Sequence, residues 1–407
     1  MPGWHEATAK WRDEGKLATA GIVLEQHPDR ARLFMQWKQL DWPLMVEPFN
    51  LLGFTAVPRT FLLDEHGVVR MIHPRLDELE SVEREFINQQ FEAPGVDAAT
   101  VDLRDSLDGD DPTDSEGWLR RAMALAQWGG TERVNEAVAA AERAVERGAD
   151  ERAHFTAGVI SRMRYDSPAR EAGDFTRAAE HWATALDIGP NNYIWRRRLQ
   201  QYGPRLDKPY PFFDWVPAAR EEIVARGETP AELAVEPGGA EFAHPAEEFE
   251  ASEAELHEPD AEGRIDRDEE HLVTVESTSI PPAAVPGDPV RVHLVLRPDG
   301  DAGAHWNNEM GPTQLWVEAP DGWELERPLF EVELPPEETS DEARTFEFEL
   351  RAPVSASSDD AASVKAYALY FVCDDATGVC MYRRQDVELP IPISADGRER
   401  LIDERRR

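Results

Sequence analysis

Sulfur is scarce in this sequence. Its 407 residues hold two cysteines, Cys373 and Cys380, and none before them. Two thiols are too few for a disulfide scaffold, and no Cys/His grouping has the spacing of a zinc site. There is no HExxH helix, nucleophile elbow or phosphate-binding loop, so metal-dependent and hydrolytic chemistry have no motif to stand on. No cofactor and no metal are therefore expected. No run approaches the ~18 apolar residues of a membrane span, so membrane insertion is not expected. The opening MPGWHEATAKW has no apolar core of a signal peptide. As written the chain is expected in the cytoplasm; a start placed too far downstream would leave room for an export signal and an extracytoplasmic location.

Lysine is scarce too, confined to Lys10, Lys16, Lys38, Lys208 and Lys365, so arginine carries nearly all the positive charge. Against 43 basic residues stand 81 acidic ones, a formal charge of −38. The acid is spread along the whole chain, which favours general solvation in salty surroundings over one cation-binding patch, because salt screens the self-repulsion. It argues against nucleic acid and anionic membranes, both of which demand a basic face. What remains is ordinary globular material, 41% hydrophobic, long enough for two to four domains.

Residues 1–93 alternate helix and strand. Trp4, Ala7 and Trp11 mark a helix to Gly15, Leu17–Leu24 a strand, and Pro28–Leu40 a helix with proline near its first turn. Arg59–Leu63 and Val68–Ile72 flank Asp64-Glu65-His66-Gly67 as a hairpin, and Leu76–Phe91 closes the segment as a helix. The stretch Val57-Pro58-Arg59-Thr60-Phe61-Leu62-Leu63-Asp64-Glu65-His66-Gly67-Val68-Val69 resembles the redoxin signature of the thioredoxin superfamily, on its alkyl hydroperoxide reductase/thiol-specific antioxidant side. The resemblance extends to Gly21-Ile22-Val23 and Asn50-Leu51-Leu52-Gly53-Phe54. It implies a cis peptide before Pro58 and a substrate-binding role for Val57, Pro58, Arg59 and Thr60. The family's reactive cysteine precedes its first helix, and here no cysteine or strand precedes that helix. Either the start lies upstream, or the domain is a degenerate redoxin used for binding.

Residues 112–227 read as helices. Asp114 or Ser115 caps the first and Thr131 the second, which ends at Gly148 as a C′ glycine; Asp150 opens the third and Asp174 the fourth. Gly173–Asn191 resembles the second helix of a tetratricopeptide repeat. Ala137, Ala144 and Gly148 recur as Ala178, Ala185 and Gly189, 41 residues on, with Asp166–Ala172 as an insertion into a repeat of about 34. So few repeats imply support from the first domain or from a capping helix at Tyr193–Tyr202. Their function is either a peptide-binding face or a spacer. Tyr210-Pro211-Phe212-Phe213-Asp214-Trp215 reads as a buried plug. Residues 228–267 turn to Glu, Ala, Pro and Asp and read as an acidic linker, poorly ordered in part.

Residues 268–395 switch to a period of two, with Val290, Val292, Leu294 and Leu296 on one face and Phe346, Phe348 and Leu350 repeating it. About seven short strands point to an antiparallel sandwich. His305-Trp306-Asn307-Asn308, Gly311-Pro312-Thr313, Ala319-Pro320-Asp321-Gly322 and Tyr370-Phe371-Val372-Cys373 through Cys380-Met381-Tyr382 resemble the N-terminal domain of the thiol:disulfide interchange protein DsbD, an immunoglobulin-like sandwich. That resemblance implies that Cys373 and Cys380 exchange electrons with protein thiol partners. The turn-like Asp374–Gly378 also brings the cysteines nearly opposite, where facing Cα atoms lie ~4.5–5.5 Å apart, within disulfide range. A structural staple remains the alternative. Arg383 and Arg384 are the nearby basic residues.

The expected fold class is therefore multidomain: an incomplete thioredoxin-like α/β domain (1–93), an all-α helical-repeat segment (112–227) and an all-β immunoglobulin-like sandwich (268–395). Two functions follow from the combination. One is a redox-associated thiol–disulfide oxidoreductase or antioxidant relative with its chemistry at Cys373/Cys380. The other is a non-catalytic scaffold that binds protein partners.

Overall fold

The computed structural model describes residues 2–55, 57–93, 102–204, 215–235, 257–357 and 362–394. It contains both helices and antiparallel sheets, and it divides into two compact units. The first comprises Met1–Ala169, Thr184–Arg198 and Pro211–Glu236; the second comprises Arg170–Ala183, Leu199–Tyr210 and Pro237–Arg407. Among the described residues no helix is long and apolar enough to cross a membrane.

The first unit begins with α1 (Pro2–Asp13), β1 (Gly21–Val23), α2 (Asp29–Lys38), β2 (Leu44–Val46), β3 (Phe61–Leu63) and β4 (Val69–Ile72). β1 and β2 pair in parallel, and β3 and β4 form the expected antiparallel hairpin. The hairpin closes because the Asp64 carboxylate accepts from the backbone N–H of His66 and Val68, each at 2.9 Å, while Gly67 takes a φ of +76°. Among the described residues the two pairs are separate sheets. The helix expected over 76–91 is shorter and irregular: a 3₁₀ turn, the single turn α3 (Leu79–Val82) and a π turn at Glu83–Ile87.

Besides the helix at Trp215–Ala225, five helices among the described residues contribute to the rest of this unit. They are α4 (Ser115–Trp128), α5 (Val134–Arg147), α6 (Glu151–Tyr165), the end of α7 (Asp174–Ile188) and α8 (Tyr193–Gln200), whose last two residues fall in the second unit. Asp114 caps α4 by accepting from Gly117 N at 2.8 Å, and Asp150 caps α6 by accepting from Ala153 N at 2.7 Å. Thr131 opens a 3₁₀ turn ahead of α5 instead of capping it directly. Gly148 does end α5, but at φ −175° it is extended, not left-handed. The glycine is needed for space, since a Cβ there would sit 3.0 Å from that of Ser115.

Residues 2–93 do not enclose their core alone. Leu33 of α2 is buried against Val216, Ala219 and Ile223 of α9 (Trp215–Ala225). Arg198, itself buried, donates to the Leu24 and Pro48 carbonyls at 2.8 and 3.1 Å and to the Gln26 amide oxygen. Gln26 in turn donates to the Val159 carbonyl. Charge-assisted bonds to these carbonyls tie the strand ends to the helices. Of the aromatic plug, residues 210–214 lie outside the described residues; Trp215 is half-buried and stacks on Trp37, with centroids 5.7 Å apart.

The second unit has ten strands among its described residues. They are β5 (Val273–Ile280), β6 (Pro289–Pro298), β7 (Ala304–Asn307), β8 (Gln314–Glu318), β9 (Glu324–Leu325), β10 (Leu329–Glu331), β11 (Thr339–Ser340), β12 (Arg344–Arg351), β13 (Ala362–Asp374) and β14 (Val379–Ile391). One sheet runs β5-β6-β12-β9. In the other, β13 pairs with β14 along one edge and with β8 and β7 in succession along the opposite edge. Alternate residues of both sheets share one core, with Val292, Leu294 and Phe348 from one and Trp306, Leu315 and Tyr370 from the other.

β6 is buried on both faces. Its outward residues Arg291 and His293 are covered, because residues 170–183 and 199–204 lie on that face. Thr176 meets Thr278 at 3.1 Å, Phe175 meets His293 edge-on, and a His293 nitrogen lies 2.7 Å from the Tyr202 carbonyl. Residues 257–268, the end of the acidic stretch, belong to this unit as well: Asp260 pairs with Arg384 at 2.8 Å, and the Asp268 carboxylate accepts from Tyr370 at 2.9 Å.

A half-buried carboxylate, Glu347, and a buried guanidinium, Arg344, set the acid and mutational sensitivity of this unit. Burial alone would raise the Glu347 carboxyl, but the His293 hydrogen bond at 2.9 Å and the Arg291 charge outweigh it and hold its pKa at about 2, below the ordinary 4.5. A depressed folded-state pKa adds stability that is present above pH 4.5 and lost as pH falls toward 2, worth at most about 3 kcal/mol. Chemical unfolding followed from pH 6 to pH 2 is expected to lose that part of its acid slope in Glu347→Gln; an unchanged slope would refute the assignment. Arg344, 1% exposed, bonds Thr313 and Asn308 and stacks over Trp306 at 4.3 Å. Arg344→Met strands those partners and is expected to cost about 2–3 kcal/mol in urea unfolding, whereas Arg120→Met, at an exposed position of α4, leaves the midpoint unchanged.

Candidate functional site

The site is built on the β13–β14 hairpin. Its register runs from Ala362↔Ile391 to Asp374↔Val379, which places Cys373 directly opposite Cys380. The turn between them is made by local polar chemistry. The Asp374 carboxylate accepts from Ala376 N and from the Thr377 hydroxyl, each at 2.8 Å, and Gly378 takes a φ of +67°. The Thr377 and Ala376 bonds pull the Asp374 pKa below the ordinary range. The two cysteines are joined as a disulfide, with Cα atoms 3.9 Å apart.

The strand's period of two assigns a face to every side chain around this bond. Val364, Ala366, Ala368, Tyr370 and Val372 point into the core, so Cys373, Phe371 and Tyr367 point out. Exposure is asymmetric across the bond: Cys373 is 3% exposed, while Cys380 lies on the surface. Two residues further along both strands, Phe371 and Tyr382 stack with centroids 4.3 Å apart. On the other side of β13, His305 of β7 is the register partner of Cys373.

Neither basic neighbour adjoins the sulfurs. Arg383 is the partner of Tyr370, hence on the core side, where it reaches the Met381 sulfur at 2.8 Å. Arg384 shares the cysteines' face two rungs away, held by Asp260 at 2.8 Å and Asp386 at 2.7 Å, with its charge over Tyr367. Burial would lower its pKa, but those carboxylates outweigh burial and raise it.

The residues that carried the sandwich resemblance divide by role. Trp306, Asn308 and Thr313 converge on Arg344, a residue that sequence reading passed over. Their spacing therefore builds the frame beneath the hairpin. Gly311 adopts φ +141° where a Cβ would lie 3.6 Å from the Phe371 ring.

Val57, Pro58, Arg59 and Thr60 belong to the first unit, whereas the cysteines belong to the second. The Val57–Pro58 peptide is cis. Val57, Pro58 and Arg59 are exposed, and the Thr60 carbonyl accepts from His73 N at 2.7 Å. Among the described residues no three His, Cys, Asp or Glu side chains are grouped to hold a metal ion. No known family model matches this sequence, and no curated protein matches it either.

The bridge closes a short loop, with a sequence separation of 7. Closing so short a loop is worth about 2 kcal/mol through the unfolded chain. The double variant Cys373→Ser/Cys380→Ser is expected to lose about that much in urea unfolding, with an unchanged m-value. A loss several times larger would make the bridge a principal support of the fold.

Proposed function

We propose that this protein carries out thiol–disulfide exchange with a protein dithiol partner through Cys373 and Cys380, as an immunoglobulin-like sandwich of the DsbD N-terminal kind would. The observation that carries this reading is the asymmetry of the bond: one sulfur belongs to an exposed residue and the other to a buried one. Exchange requires in-line approach of a thiolate to one sulfur while the other departs. An exposed Cys380 offers the point of attack, and a buried Cys373 is shielded from it. The bridge also ends a hairpin, so breaking it leaves the ladder between Ala362 and Ile391 to hold both thiols in register.

The alternative is a scaffold. It is favoured at the first unit by a specific observation: no cysteine precedes Cys373, so Val57, Pro58, Arg59 and Thr60 have no thiolate beside them in the chain. In this reading that surface binds an extended peptide without chemistry, and the helices hold it in place.

Reduction of the native full-length chain by dithiothreitol, followed by maleimide labelling without denaturant, separates the two. Exchange predicts two labels per chain on reduction and slow reoxidation by a disulfide substrate such as insulin. A bond that opens only in denaturant is a staple, and the exchange reading then fails.

A further inference from the structure

Resting on the exchange reading above, we propose that His305 is the acid that protonates the departing Cys373 sulfur, and that Asp375 is the residue that positions it. Sequence places His305 far from both cysteines, but register brings the three together: Cys380, Cys373 and His305 form one row across β14, β13 and β7. Directly opposed residues project to the same face with Cβ atoms about 4.5–5.5 Å apart. The row lies on the outward face, since Ala304 and Trp306 on either side of His305 are in the core.

The ring is oriented from the turn. His305 Nδ1 lies 3.3 Å from an Asp375 carboxylate oxygen, two residues beyond Cys373. Asp375 is in turn fixed by its backbone N–H donating to the Gly303 carbonyl at 3.0 Å. Gly303 is required there, because it has a φ of +71° and a Cβ would come within 3.3 Å of Asp375. With Nδ1 committed to Asp375, Nε2 is the nitrogen left to serve the sulfur. The need for it follows from burial: a thiolate released at a 3% exposed position has lost its water and requires a proton or an opposite charge. The two nearby arginines do not supply one, being on the core face or bound to Asp260 and Asp386.

The step balances as follows. A partner thiolate attacks Cys380 Sγ, forming a new S–S bond. The Cys373–Cys380 bond breaks and its electron pair passes to Cys373 Sγ. His305 Nε2–H transfers its proton to that sulfur, leaving a neutral ring on Asp375. The partner's second thiol loses its proton and attacks the partner sulfur of the mixed disulfide. The bond to Cys380 breaks, its electron pair passes to Cys380 Sγ, and that exposed sulfur takes a proton from solvent, so the partner dithiol is oxidised and the two cysteines are reduced.

The test is the second-order rate of reduction of the native full chain by dithiothreitol, with wild type, His305→Ala, His305→Gln and Asp375→Asn compared at neutral pH. His305→Ala is expected to slow reduction about 10²-fold, the low end for a general acid, with Asp375→Asn slowed less. Added imidazole should restore part of the His305→Ala rate and leave wild type unchanged. Near-ultraviolet circular dichroism checks the fold, and His305→Gln supplies a shape-conserving variant if His305→Ala does not fold. Wild-type rates in all variants, or slowing that imidazole does not relieve, would overturn the role of His305 while leaving exchange intact. A wild-type bond inert to dithiothreitol would instead remove the exchange reading itself.

Discussion

The antiparallel register of β13 against β14 is the constraint from which the rest of the second unit follows. A slip of one residue would turn every side chain of a strand to its opposite face. Tyr370 and Val372 would leave the core, and Cys373 would no longer face Cys380. Two features hold the register. Core residues at every second position of β13 oppose the slipped pairing, and the Asp374–Gly378 turn is closed by bonds from Ala376 and Thr377 to the Asp374 carboxylate. β13 also pairs with β7 and β8 along its other edge, and the β7 pairing sets which residue lies beside Cys373 on its far side.

Burial of charge is handled differently in the two sheets. On the outward face of β5-β6-β12, Thr278 and His293 of the row Thr278, His293 and Glu347 are covered by the chain around Phe175 and Tyr202, and the half-buried Glu347 lies 2.9 Å from a His293 ring nitrogen. On the outward face of β14-β13-β7, the row Cys380, Cys373 and His305 opens at Cys380, and its one ionisable ring leans on the exposed Asp375. The second arrangement leaves the disulfide buried at Cys373 and exposed at Cys380.

How much of this was legible in sequence depended on the range of the interactions. Local chemistry was readable: Asp114 and Asp150 cap their helices, the Asp64–Gly67 turn closes a hairpin, and Asp374–Gly378 brings the cysteines opposite one another. Gly148 was placed correctly at a helix end for a reason that does not hold, since its role is to admit Ser115 and not to turn left-handed. Non-local pairing was not readable. Alternation in β6 assigns Val290, Val292, Leu294 and Leu296 to one face but says nothing of what covers the other, where Arg291 and His293 are buried and a His293 nitrogen meets the carbonyl of Tyr202, 91 positions earlier. His305 stood inside a recognised motif with no sign of its neighbour, because cross-strand adjacency carries no signature in the linear chain. Arg344 was missed for the same reason: the three motif residues that meet it come from strands and loops set by the sheet alone.

The central claim is that the disulfide is polarised, with Cys380 as the attacked sulfur. It is tested most directly by treating the native chain with limiting glutathione, quenching in acid, and locating the adduct by peptide mass spectrometry. The account predicts glutathione on Cys380 and a free thiol at Cys373. An adduct on Cys373, or an equal mixture of the two, would contradict it.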